Sequence, residues 1–232
     1  LTFSKNINKL VKFSNEEFTS KYVEIGWLGG AFPLNCQRLE EGQPIGTFYG
    51  PVWLGVDESG HDKFKNQDPV GHVSPDKWEE IGNANPFCML GWSNTFKYRQ
   101  WDLNFALRAQ IGGDVLNMYR LYYENWQSLG RNIVHSQLDN PDFIGTGQYS
   151  SKYVEDASFL KLDNITLGYN FPKICKYISN LRIFATAQNV FCITGYKGLD
   201  PEVSLSGLTP GIEYLYYYPK TTTITLGVNL AF

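Results

Sequence analysis

Thr221-Thr222-Thr223-Ile224-Thr225-Leu226-Gly227-Val228-Asn229-Leu230-Ala231-Phe232 is the stretch that decides how this chain is read. Its even positions from Ile224 to Phe232 are all apolar. Its odd positions, Thr223, Thr225, Gly227, Asn229 and Ala231, are small or polar. A period of two marks a strand with two unlike faces. A soluble sandwich strand shows the same alternation, its apolar face turned to a core. A membrane strand shows it too, and about 9–11 tilted residues suffice to cross a bilayer.

Repetition of the pattern weighs toward the membrane. Leu181, Ile183, Ala185 and Ala187 oppose Arg182, Thr186 and Gln188, with Phe184 out of pattern. In Phe159–Phe171, Ile165, Leu167, Tyr169 and Phe171 oppose Asn164, Thr166, Gly168 and Asn170. Phe87–Tyr98 and Trp101–Ile111 read as a hairpin across Arg99-Gln100, a two-residue turn by length. The polar face of its second strand carries Asp102 and Arg108, which suits a wet lumen better than a packed core. Further back, Ile45–Val56 reads as one strand disturbed by Pro51, and Tyr22–Glu41 has room for two. Leu1–Phe13 starts as a strand, and Asp57–Pro86 reads as loop. A short helix is expected within Asp114–Trp126.

The connections alternate in length. Cys192–Pro219, Gly112–Ala157 and Asp57–Pro86 are long; Pro172–Asn180, Arg99–Gln100 and Gly42–Pro44 are short. Long loops at one end and short turns at the other are the habit of outer-membrane barrels. Tyr98, Trp101, Phe171 and Phe232 then fall at one height, as an aromatic girdle.

Bulk properties agree. Aromatics make up 16% of the 232 residues, and Tyr and Trp favour membrane interfaces. No apolar run is long enough for a transmembrane helix, a limit that does not apply to barrel strands. A net charge of -3 argues against a nucleic-acid partner. Cys36, Cys88, Cys175 and Cys192 form no CxxC pair and read as small buried or half-buried thiols, so no metal or cofactor is expected. Leu1–Lys12 lacks the composition of a signal peptide.

Several segments together resemble the SusC-like (RagA-like) TonB-dependent outer-membrane transporters. They are Gly42-x-Pro44-Ile45-Gly46-x-Phe48-Tyr49-Gly50, Ile81-Gly82-Asn83-x-Asn85-Pro86, Gly112-Gly113-Asp114-Val115-Leu116-Asn117 and Tyr153-Val154-Glu155-Asp156-Ala157-Ser158-Phe159-Leu160. Asn164-Ile165-Thr166-Leu167-Gly168-Tyr169, Ala187-Gln188-Asn189-Val190-Phe191 and Gly198-Leu199-Asp200-Pro201-Glu202 complete the set, which ends at Phe232. The resemblance implies an all-β chain: an antiparallel segment of a transmembrane barrel with long outer loops. Such barrels have about 22 strands, more than 232 residues supply, so residues 1–232 are expected to be the carboxyl-terminal portion, without plug domain or earlier strands. It also implies energised uptake of oligosaccharides or peptides, a SusD-like lipoprotein partner, and coupling to TonB through the missing amino-terminal part.

No catalytic constellation is present. His61, His72 and His135 are scattered, Ser158 lies in no Gly-x-Ser-x-Gly elbow, and Asp200 and Glu202 read as a loop turn before an acid pair. Two tyrosine clusters in outer loops are the candidate substrate- or partner-facing residues: Tyr119, Tyr122, Tyr123 and Trp126, then Tyr214, Tyr216, Tyr217 and Tyr218. The competing reading is that they pack loop on loop. Val228, Leu230 and Phe232 are the candidate assembly signal, read by main-chain pairing at the end of the last strand. The alternative for the whole chain is a soluble all-β carbohydrate-binding or adhesion domain.

Overall fold

The computed structural model describes residues 1–172, 177–203 and 205–232. Cys175 and the middle of the Pro172–Asn180 connection lie outside the described residues. The strands in chain order are β1 (Thr2–Ser4), β2 (Tyr22–Gly29), β3 (Phe32–Glu40), β4 (Thr47–Gly50), β5 (Trp53–Val56), β6 (Asp62–Phe64), β7 (Glu79–Asn83) and β8 (Cys88–Tyr98). Then follow β9 (Trp101–Ile111), β10 (Asp114–Asn117), the helix α1 (Met118–Tyr123), β11 (Val154–Asp156), β12 (Phe159–Phe171), β13 (Asn180–Thr194), β14 (Ile212–Glu213) and β15 (Thr223–Ala231). Among the described residues no helix is long and apolar enough to cross a membrane, which says nothing about a strand barrel.

One antiparallel sheet, in the order β1-β8-β9-β12-β13-β15, forms a wall. Its alternation is the one read from the sequence. Ile224 and Leu226 are 75% and 79% exposed, and Leu90, Trp92, Phe96, Leu167 and Ile183 are exposed on the same apolar face. A soluble sandwich would bury that face. The β8–β9 hairpin closes through Arg99-Gln100 with Tyr98 opposite Trp101. Arg99 takes φ 54°, the positive value that a two-residue hairpin asks of its first central residue. Phe184, out of pattern in the sequence, stands opposite Gly227, where any Cβ would collide with its ring. The glycine makes room for the aromatic on the polar face.

The three excursions between wall strands on the other side fold together. Residues 5–87, 112–158, 195–203 and 205–222 form a body with its own core: Leu28, Cys36, Phe48, Ala84, Leu116, Met118, Leu121, Tyr149, Tyr153 and Ile212. A four-stranded sheet, β2-β3-β4-β7, and a three-stranded one, β11-β10-β14, carry that core.

This body corrects several sequence expectations. Gly42–Pro44 is not a turn at the short-turn end, because the strands around it belong to the outer body. The run from Ile45 to Val56 splits into β4 and β5 at Pro51, which has no N–H to give. Asp57–Pro86 holds β6 and β7. The helix expected from Asp114 starts only at Met118, because Asp114–Asn117 pairs with β11 and β14. Of Leu1–Phe13 only Thr2–Ser4 is strand. Tyr22–Glu41 holds two strands, joined at Gly29 and Gly30, both with positive φ.

Candidate functional site

The polar face of the wall is the first part of the site. Asp102 on β9 and Arg182 on β13 are separated by strand β12, yet their side chains meet at 2.6 Å. They cross above Gly168, where a Cβ would strike both. Asn170 Nδ2 donates to the same carboxylate at 2.7 Å. Higher up, Arg108 donates twice to Asp163 at 2.9 and 3.0 Å. The hydroxyls of Thr166 and Thr186 pair at 2.8 Å. The charges noted on the polar face are thus paired across strands, as a lumen wall requires.

Asp163 belongs to an irregularity: the register slips between Leu162 and Asn164 against both neighbouring strands. The apolar phase of β12 shifts there, from Leu160 and Leu162 to Ile165 and Leu167. Asn189, across the slip on β13, takes φ 49°.

The outer body meets the wall at Glu202. Its carboxylate accepts from Arg108 at 2.5 Å, Lys161 at 2.5 Å and Lys220 at 2.6 Å. Burial pushes its pKa up, but the three cationic donors outweigh this and hold it at about 2. Glu213, fully buried, accepts from the Tyr196 hydroxyl at 2.7 Å and from the amides of Leu199 and Asp200 at 2.9 and 3.0 Å. Burial raises its pKa, and those donors only partly offset this. Arg120 ties Glu124 and Glu155 beneath α1, and Ser136 also donates to Glu124. Asp200 Oδ1 accepts from the Glu202 amide, while the Glu202 carboxylate is taken up by its three cations.

The two tyrosine clusters come together. Tyr119 donates to the carbonyls of Leu215 and Tyr217, at 2.8 and 3.0 Å. Tyr122 accepts from Ala31 N at 3.1 Å and contacts Gly29 O, so it caps the β2–β3 turn. Tyr123 lies beside Tyr119 and Tyr122, and Trp126 Nε1 donates to Pro141 O at 3.0 Å. The rings of Tyr214, Tyr216 and Tyr217 stack at 5.2 and 5.7 Å. Tyr216 and Tyr218 are 79% and 80% exposed. The first cluster thus holds loop to loop, while exposed aromatic surface collects on the second.

At the short-turn end, Trp101, Tyr169 and Phe171 are in ring contact at 4.8 and 4.7 Å. Val228, Leu230 and Phe232 share one exposed face at the end of β15, whose ladder partner among the described residues is β13. Ser59 Oγ lies 3.2 Å from His61 Nδ1 in an exposed turn, and His135 opens a 3-10 turn. Of the thiols, Cys36 and Cys88 are buried, whereas Cys192 is exposed, contrary to expectation, because it sits on the polar face of the wall.

The segments quoted for the family resemblance meet each other. Asn83 N donates to Asp114 Oδ2 at 2.8 Å, Asn85 Nδ2 donates to Ile45 O at 2.6 Å, and a Cβ at Gly46 or Gly211 would strike Pro210 or Ala84. They are the seams between excursions.

No family model matches the chain. TonB-dependent receptor P3 of Formosa agariphila is 27% identical over 270 residues, covering 99% of this chain and 26% of the receptor. TonB-dependent receptor SusC of Bacteroides thetaiotaomicron is 30% identical over 257 residues, covering 98% of this chain and 23% of the receptor. The solved RagAB peptide transporter superposes with a TM-score of 0.78 at 24% identity, over 99% of this chain and 26% of that one. The RagAB peptide importer in its open-open state gives 0.78 at 23%. At that identity the likeness is one of fold. The chain spans about a quarter of the length of the curated relatives it matches. In sequence and fold it belongs to the SusC-like TonB-dependent receptors, as a stretch of their β-barrel wall with its outer loops.

Proposed function

We propose that this chain is part of an outer-membrane importer of oligosaccharides or peptides. It supplies strands, lumen wall and outer loops. A SusD-like lipoprotein would cover the outer body, and TonB would act through a plug domain elsewhere in the longer protein. The observation that carries the reading is the wall itself. It has an exposed apolar face, an ion-paired polar face, and its three long excursions at one end. Its similarity to TonB-dependent receptors supports nutrient import, and RagAB, which shares the fold, is a peptide transporter. Catalysis forms no part of the proposal.

Exposed aromatic faces suit stacking against sugar rings or partner side chains, so Tyr216 and Tyr218 are the residues proposed to meet substrate or lipoprotein. In the full-length protein, Tyr216→Ala with Tyr218→Ala should reduce uptake of labelled glucan oligomers or oligopeptides while the barrel assembles normally. Unchanged uptake of both probes removes these tyrosines from the proposal. A full-length protein recovered in the soluble fraction overturns the importer reading in favour of a soluble binding domain.

A further inference from the structure

Residues 195–222 leave the wall from β13 and return to it as β15, at the sheet edge. Glu202 nevertheless reaches past β13 to Lys161 on β12 and Arg108 on β9. Both cations alternate with apolar residues of the lipid-side face: Leu160 and Leu162 flank Lys161, and Leu107 and Ala109 flank Arg108. Their side chains therefore stand on the polar face. A loop whose carboxylate touches both must lie against that face. A cavity of about 300 Å³ separates loop from wall there, with Lys161, Asn189 and Cys192 on one side and Leu199, Asp200 and Pro201 on the other.

The loop is fixed at further points. Glu213 holds the amides of Leu199 and Asp200, and β14 pairs with β10. Gln37 Nε2 donates to Pro210 O at 2.5 Å. At the return to the wall, Asn189 Nδ2 donates to Thr221 O and Thr222 Oγ1 to Asn189 O. A segment meant to swing away would not be tied to three wall strands, β9, β12 and β13, and to the body above them.

We propose that Glu202 is a positioning residue that fixes residues 195–222 as a permanent inner lining of the barrel wall, and that this lining sets the upper size of solute admitted. The inference rests on the importer reading. It assigns the loop to the static part of the passage.

The test uses the full-length protein in cells, with labelled glucan oligomers and labelled oligopeptides of graded length. Glu202→Gln should shift the size cut-off upward and raise cleavage of residues 195–222 by external protease at least tenfold. Heat-modifiable mobility of the barrel should stay as in wild type, and Glu202→Asp should restore most of the cut-off. A wild-type cut-off and wild-type cleavage in Glu202→Gln overturn the proposal. A second arm leaves the ion cluster untouched: Leu199→Cys is joined to native Cys192 by a short cleavable thiol cross-linker, in a Cys175→Ser background. Uptake within twofold of the uncrosslinked protein is expected. A tenfold fall that reverses when the linker is cleaved shows a moving loop and overturns the proposal, even if Glu202→Gln fails to assemble. If the wild type takes up neither probe, the importer reading fails, while the protease arm still tests the lining.

Discussion

Gly168 has no side chain because two others cross above it. Gly168→Val should push Arg182 off Asp102, and hydrogen bonds to charged groups are each worth about 1.5–3 kcal/mol. Thermal melting of the assembled barrel should fall for this variant and stay near wild type for Thr166→Val, which loses one hydroxyl pair. Lysine scanning separates the two faces: at Leu226 or Leu103 it should cost about 2–4 kcal/mol near the midplane, and far less at Thr225 or Asn104. Equal tolerance on both faces would contradict a lipid-facing wall. Glu202 gives a pH signature. Its pKa drops on folding from 4.5 to about 2, so its contribution is present above 4.5 and lost as pH falls through that window. Protease resistance of residues 195–222 should decline between pH 4.5 and 2 in wild type, and Glu202→Gln should flatten that limb.

At the scale of elements, α1 is held by what its tyrosines do. Tyr119→Phe removes two hydrogen bonds to the 215 and 217 carbonyls, each worth about 0.5–1.5 kcal/mol net, and should loosen residues 214–218 without unfolding the wall. Hydrogen exchange of the loop amides would register it. Deleting Tyr119–Trp126 outright is a poor probe of binding, because it also removes Leu121 and Arg120 from the core. The wall strands were legible because period-two alternation is a local signal: β8, β9, β12 and β15 fall within a residue or two of where the pattern put them. The outer body was hidden for the opposite reason. β7, β10 and β14 are two to five residues long and pair with partners far along the chain, so no window of sequence contains their cause. Likewise Asp102 and Arg108 were visible as charges on a polar face. Their mates were not: Arg182 depends on the register of three strands, Asp163 on the β12 irregularity and Glu202 on the loop's path.

At the scale of the molecule, both edges of the wall are open. Among the described residues, β1 pairs with β8 alone and β15 with β13 alone. Unpaired edges do not survive in lipid, so residues 1–232 expressed alone should aggregate or require detergent. A monodisperse monomer without detergent, seen by light scattering, would contradict this. The assembly role proposed for Val228, Leu230 and Phe232 has a kinetic test. Phe232→Ala in the full-length protein should accumulate unassembled, whereas Phe171→Ala, which removes only a girdle ring, should assemble at the normal rate. Pulse-chase labelling compares the two, and equal rates would leave Phe232 as a rim anchor only.

The seams of the outer body also bear on the time course of folding. Its core draws on three stretches separated by whole hairpins of the wall, and the bond from Gln37 to Pro210 spans 173 residues. Contacts of such separation pay the entropy of loop closure before they return anything, and they slow folding by orders of magnitude relative to local ones. The core around Leu28, Cys36 and Phe48 is complete only when Ile212 joins it. The outer body therefore keeps apolar surface exposed until residue 212 is in place, and its core should be among the last parts of these residues to form.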